Sequence, residues 1–183
     1  MQIFYSPFAI VVPDFASASE VSWWLDRANT LAYEASAPIT TAAGFTHRPD
    51  IRNNARAITD REDWASLLWP ATKVVLPPVD GFEAVGLNKR FRFYRYGPGQ
   101  RFAPHFDGAY VRPDGSERSL LTWILYLEAD CDGGATRLHH HGHDVQPVPG
   151  TLLVFEHRQR HEGCEVTRGR KTVLRTDVMY RAV

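Results

Sequence analysis

After Gly86 the chain changes character, and that change limits the possible folds more than any other feature. Arg90-Phe91-Arg92-Phe93-Tyr94-Arg95-Tyr96 is rich in strand formers and roughly alternating. Further strand candidates are Ser119 to Leu127, Val145 to Val148, Thr151 to Phe155 and Lys171 to Tyr180. Turn signals separate them: Gly97-Pro98-Gly99, Asp114-Gly115, Asp132-Gly133-Gly134, Pro149-Gly150 and Arg168-Gly169. Many short strands after a helical first third predict a mostly β (α+β) fold, a sandwich or barrel flanked by helices.

The first third reads differently. Ile3 to Val12 is a short apolar opening ended by Pro13 and Asp14. Ser17 and Ser19 are N-cap candidates with Glu20 in the first turn. Trp23, Trp24, Ala28, Leu31 and Ala32 recur at helical spacing, which predicts a helix from about Ser19 to Glu34. Asp60 to Leu68 reads as a second short helix stopped by Pro70. Residues 35 to 50 read as irregular. With 183 residues and no repeat or low-complexity linker, one domain is expected, with residues 1–86 supporting a core at 87–183.

Composition narrows the function classes. Lys and Arg total 21 and Asp and Glu total 21, so no global charge argues for a nucleic-acid partner. No apolar run approaches the roughly 20 residues a membrane span needs, so no membrane association is expected. The opening Met-Gln-Ile-Phe-Tyr-Ser-Pro lacks a basic n-region and an h-region, so no signal peptide is expected. Two isolated cysteines, Cys131 and Cys164, fit a reducing compartment, and a cytoplasmic location is expected. Oligomeric state is not legible.

The chemistry starts at His105-Phe106-Asp107. In extended backbone, residues two apart point to one side, so His105 and Asp107 present an imidazole and a carboxylate to one point. His161, after the Thr151–Phe155 strand, is the best candidate for a third ligand. Two histidines and one carboxylate with open positions opposite suit non-haem Fe(II). A zinc hydrolase can use the same set, and a lone His-x-Asp also arises by chance. His157 competes with His161, and His139, His140, His141 and His143 form a separate cluster that could attract metal.

Four ordered blocks settle on one resemblance: RFYRYGPGQRFAPHFDGAY (92–110), LTWILYLEADCDGGATRL (121–138), VQPVPGTLLVFEHRQRHEG (145–163) and VTRGRKTVLRTDVMY (166–180). From about Leu87 to Tyr180 the chain resembles the Fe(II)/2-oxoglutarate-dependent dioxygenases, in their prolyl 4-hydroxylase-like branch. Arg52-Asn53-Asn54-Ala55-Arg56 also resembles a segment of bacterial and fungal members.

The resemblance implies a double-stranded β-helix (jelly-roll) core with N-terminal helices packed outside. It places the metal ligands on His105, Asp107 and His161. Lys171, ten residues after His161, takes the position of the basic residue that binds the far carboxylate of 2-oxoglutarate. Arg175 has the same strand parity and is the second candidate, since its planar fork suits a carboxylate. Tyr96 falls where a tyrosine bonds the co-substrate, and Thr122 and Thr136 are further pocket candidates. Gly133-Gly134 reads as a structural turn, and the His139–His143 stretch as a solvated hairpin.

The implied activity is 2-oxoglutarate- and O2-dependent hydroxylation of a C–H bond, yielding succinate and CO2, with ascorbate a candidate reductant. A prolyl residue in a protein or peptide is the leading substrate. A free amino acid or small metabolite stays open. Candidate substrate contacts are Arg52, Asn54, Arg56, Tyr110, Arg118 and Trp123, whose bland alternative is ordinary surface and core roles. Gly108 to Glu117 reads as a mobile loop that closes over substrate. A zinc hydrolase and a non-catalytic β-helix binding module are the readings of other classes. The basic residue at 171 weighs against the first and the intact triad against the second.

Overall fold

The computed structural model describes residues 1–5, 7–35, 39–41 and 44–183. In chain order the elements are β1 (Gln2–Phe4), β2 (Ala9–Val12), α1 (Ala18–Thr30), β3 (Ile39–Thr41), β4 (Gly44–Thr46), β5 (Ala55–Asp60), α2 (Glu62–Val75), β6 (Phe82–Leu87), β7 (Arg90–Tyr96), β8 (Gln100–His105), β9 (Arg118–Gly133), β10 (Thr136–Leu138), β11 (His143–Val145), β12 (Leu152–Glu156) and β13 (His161–Ala182). A 3-10 turn at His139–His141 joins β10 to β11.

Two long strands organise the core. β13 has 22 residues and pairs antiparallel with β8 and β10 early in its course, then with β9, β7 and β6. β9 has 16 residues and lies between β12 and β13. Strands this long cannot stay flat. Register shifts along β13, including those at Gly163/Val166 and Thr172/Val173, mark bulges that bend it, so that one strand serves both layers of the jelly roll. Arg168-Gly169 therefore does not end a strand, as the sequence predicts, but bends one. Gly169 has φ +76°, and a Cβ there would lie 1.9 Å from the Asp130 carbonyl oxygen. Only glycine lets β13 follow β9 through this point.

Alternation along β9 divides the interior in two. Leu121, Trp123, Leu125 and Leu127 pack toward the helices with Trp24, Trp64 and Phe91. Ile124 and Tyr126 face the other side, with Tyr94, Tyr96, Phe155 and Val173. The two helices thus shield one face and leave the other to line a cavity.

The helices differ from expectation at their ends. Ser17 and Glu20 form a reciprocal capping box on α1, which buries Val21, Trp24 and Ala28. The helix stops at Thr30 because Leu31 is extended and leads Glu34 into a bridge with Arg56. Pro70 does not stop α2. An interior proline costs about 3 kcal/mol, but the stripe Trp64, Leu68 and Thr72 stays buried across it. The Thr72 hydroxyl accepts the Trp123 Nε1–H at 3.1 Å.

The first 86 residues supply strands as well as helices. The opening apolar segment is the β1–β2 hairpin, which extends the sheet beside β12. β5 pairs with β7, and β6 with the end of β13. Of the stretch 35–50, expected to be irregular, β3 and β4 pair with each other, while residues 36–38 and 42–43 lie outside the described residues. Among the described residues, no helix is long and apolar enough to cross a membrane.

Candidate metal centre and co-substrate pocket

β8 ends at His105 and β13 begins at His161, and the two are direct register partners. Their ring centroids lie 4.2 Å apart. Asp107, two residues past the end of β8, points to the same place. His105 Nε2 is 3.8 Å from Asp107 Oδ1, and His161 Nε2 is 3.6 Å from Asp107 Oδ2. The ligand atoms of the three residues all lie within 4.8 Å of one another.

The backbone sets the tautomers. His105 Nδ1 donates to the Ala103 carbonyl at 2.8 Å, and His161 Nδ1 donates to the Gln159 carbonyl at 3.0 Å. Both Nε2 lone pairs are left facing the common point. Burial, and then the neighbouring His161, push the His105 pKa down to about 3, and burial lowers that of His161. Burial opposes a charged Asp107, but Arg175 and both histidines outweigh it and hold the carboxyl well below its ordinary range. Two neutral imidazoles and one carboxylate form a donor set that fits a divalent Fe(II).

A second layer fixes the carboxylate. Thr122 Oγ1 donates to Asp107 Oδ2 at 2.5 Å. Arg175 Nη2 lies 3.1 Å from the same oxygen and 3.0 Å from Asp177 Oδ1. Arg92 Nη1 reaches Asp177 Oδ2 at 3.2 Å. Arg175 therefore sits beside the metal centre, paired with two aspartates.

A small cavity adjoins the centre, lined by Tyr94, Tyr96, Ile124, Thr136, Lys171 and Val173 among others. Lys171 lies four residues from Arg175 on β13, about 13 Å along a strand. Its ammonium is buried, donates to the Gly134 carbonyl at 2.6 Å and lies 4.3 Å from the centroid of the Tyr96 ring. Burial pushes its pKa down to about 8. Tyr126 donates its hydroxyl proton to Thr136 Oγ1 at 2.7 Å. Burial raises the pKa of Tyr96, which stays a neutral phenol. Arg175 also lines the cavity but is paired with Asp107 and Asp177, so the Lys171 ammonium, amid apolar walls and neutral hydroxyls, is the cation that a small carboxylate would pair with.

An open cleft also adjoins the centre. Arg52, Arg56 and Tyr110 line it together with His105, Asp107 and Arg175. Asn54 is buried and acts through Arg52, accepting its Nε–H at 2.9 Å. The Arg52 guanidinium stands over the rings of Tyr94 and Phe102, and Phe102 stacks on His105 with centroids 3.6 Å apart.

Several expected roles do not fit these positions. Trp123 lies on the helix-facing side of β9 because its parity is opposite to that of Thr122 and Ile124, so it is core and not a substrate contact. Arg118 is exposed at the start of β9, bridged to Val111, and lines neither the cavity nor the cleft. His157 is in a separate cleft with Phe8 and Leu121.

The histidine hairpin is not simply solvated. His141 Nε2 bonds the Pro7 carbonyl at 2.8 Å, and the Phe4 ring packs at 4.9 Å against both His141 and His143. These contacts tether the N-terminal hairpin. The segment Gly108–Glu117 is braced by Arg112 to Glu117 at 2.6 Å and by paired Tyr110–Ser119 bonds of 2.8 Å.

Sequence reasoning missed other participants. The Ala103 and Gln159 carbonyls carry no residue-type signal. Gly134 was expected to serve only as a turn, but its carbonyl takes the Lys171 ammonium. Asp177 shares the parity of Arg175, and that signal was available.

Fold and centre together define a double-stranded β-helix with a two-histidine, one-carboxylate site at its open end. Residues 91–176 match the profile of the 2OG-Fe(II) oxygenase superfamily. A PKHD-type hydroxylase of Sphingopyxis alaskensis is 36% identical over 84 residues, which are 43% of this chain and 38% of that protein. The prolyl 4-hydroxylase subunit alpha-1 of Gallus gallus is 32% identical over 104 residues, covering 49% of this chain and 20% of that one. The matches thus span well under half of these relatives. The viral collagen prolyl hydroxylase of Paramecium Bursaria Chlorella virus-1, solved as its 2OG complex, shares the fold with a TM-score of 0.64 at 19% identity, over 96% of each chain.

Proposed function

We propose that the chain is a 2-oxoglutarate- and O2-dependent hydroxylase of a C–H bond, with a prolyl residue in a protein or peptide as the leading substrate. The observation that carries this reading is the junction of two features. Two Nε2 lone pairs and a carboxylate converge on one point, and the adjoining buried cavity contains the Lys171 ammonium. A zinc hydrolase would have no use for that cation. The prolyl reading draws on the names of the relatives, and hydroxylation of a free amino acid or small metabolite is the alternative.

In this reading His105, Asp107 and His161 hold Fe(II), and Lys171, with Tyr96 and Thr136, holds the far carboxylate of 2-oxoglutarate. The bound metal and co-substrate supply the oxidising power that converts a C–H bond to an alcohol, with succinate and CO2 as co-products. The chain's own residues prepare that site. Ala103 and Gln159 keep both imidazoles in the ligating tautomer. Thr122 and Arg175 hold Asp107 Oδ2, which lies beside His161 Nε2, while Oδ1 faces His105 Nε2. Ile124, Val173 and the tyrosine rings keep the cavity apolar and exclude water. Ascorbate is the proposed reductant for metal that becomes oxidised without substrate.

The test is succinate formation from 2-oxoglutarate with a panel of proline-containing peptides and free amino acids, with and without Fe(II). Peptide-stimulated succinate accompanied by a mass gain of one oxygen on the peptide supports the reading. Stimulation by free amino acids alone selects the alternative substrate class.

A further inference from the structure

The cleft beside Asp107 has an unusual charge balance. Its lining brings four guanidinium groups, those of Arg52, Arg56, Arg92 and Arg175, against two carboxylates, Asp107 and Asp177. That leaves two positive charges in excess, before Asp107 is committed to a metal. Arg175 is held by both aspartates, and Arg92 by Asp177.

Arg56 is placed differently. Its side chain is only 13% exposed, and its buried Nε–H has no hydrogen-bond partner among the described residues. Its Nη2 reaches Glu34 Oε2 at 3.3 Å, and that glutamate side chain is 66% exposed. A buried donor without an acceptor costs about 1–3 kcal/mol, so Arg56 gains from an acceptor in the cleft that reaches Nε as the groups covering it shift. The Nε–Nη2 edge of a guanidinium matches the two oxygens of a carboxylate. Beside it stand two solvent-facing aromatic side chains, Phe106 at 57% and Tyr110 at 41% exposure. Phe106 lines the cleft together with the ligands His105 and Asp107, so an apolar group resting on it stays near the reactive centre.

We propose that the substrate bears a carboxylate that docks on Arg56, with the apolar part to be hydroxylated resting against Phe106 and Tyr110. This rests on the hydroxylase reading and deepens it. The carboxylate can come from an acidic side chain near the target residue or from a free C-terminus.

The test uses three proline pentapeptides titrated calorimetrically into the full chain, with and without Zn(II) and 2-oxoglutarate. One has a glutamate beside the proline and an amidated C-terminus. The second has glutamine there and a free C-terminal carboxylate. The third has glutamine and an amide, and so carries no carboxylate. At least one carboxylate peptide should bind about tenfold or more tightly than the neutral one, and which one does so identifies the source. Raising the salt should shrink the difference. Arg56→Gln should abolish it, and Arg56→Lys should keep part of it. Equal binding of all three peptides, no binding by either carboxylate peptide, or a preference that survives in Arg56→Gln overturns the proposal. A preserved preference with no 2-oxoglutarate-dependent succinate upholds carboxylate docking and refutes the hydroxylase reading alone.

Discussion

Lys171 and Tyr96 are direct register partners on β13 and β7, and the Lys171 ammonium lies 4.3 Å from the centroid of the Tyr96 ring. Burial pushes that ammonium down to about 8 from its ordinary 10.5. Between those values the unfolded chain binds a proton that the folded chain does not, so Lys171 makes stability rise with pH across that window. A bound carboxylate requires the ammonium and reverses the shift. The affinity for 2-oxoglutarate should be flat below about pH 8 and fall up to about tenfold per unit above it. Lys171→Arg should flatten that profile, because arginine does not deprotonate there. Equilibrium titration of 2-oxoglutarate from pH 7 to 10 checks this.

Thr122→Val should weaken metal binding without unfolding the protein. The hydroxyl donates to Asp107 Oδ2 at 2.5 Å, and valine keeps the shape of the side chain but loses that donor. Loss of such an orienting bond costs about 10- to 100-fold in metal affinity. Competition with a chelator measures it, and an unchanged melting profile shows that the fold is intact.

Lys171→Ala and Arg175→Ala should separate two functions. The first should raise the 2-oxoglutarate requirement far more than the iron requirement. The second leaves Asp107 and Asp177 without their shared cation and should destabilise the fold by about 3–5 kcal/mol while weakening metal binding. If Arg175→Ala instead affects the 2-oxoglutarate requirement alone, the assignment of the two cations is reversed.

Much of the site was legible because it follows strand parity. His105 and Asp107 are two apart in extended chain, and Lys171 shares the parity of Arg175. The alternation of β9 was equally available, and it separates Trp123 from Thr122. What the sequence did not show was how strands continue through glycine. Gly169 looked like a turn because glycine with positive φ marks turns, yet here it bends a strand around Asp130. Pro70 misled for a related reason: its local cost is real, but Trp64, Leu68 and Thr72 bury one face on both sides of it. The N-terminal strands are short, and their pairing with β12, β7 and β13 depends on residues far away in sequence.

Trp123→Ala should act on stability and not on the ligands. The indole is fully buried against the helices and bonds Thr72. Truncating a buried aromatic costs about 3–5 kcal/mol. Denaturant unfolding should show that loss, while the 2-oxoglutarate affinity of the folded fraction stays unchanged.

Visible absorption under anaerobic conditions tests the central assignment most directly. Fe(II) and then 2-oxoglutarate are added to metal-free protein, and no substrate is needed. The expected result is a weak metal-to-ligand charge-transfer band that requires both additions and disappears in Asp107→Ala and Lys171→Ala. A folded protein with iron bound and no band on addition of 2-oxoglutarate would contradict the pairing of the His105–Asp107–His161 centre with the Lys171 cavity.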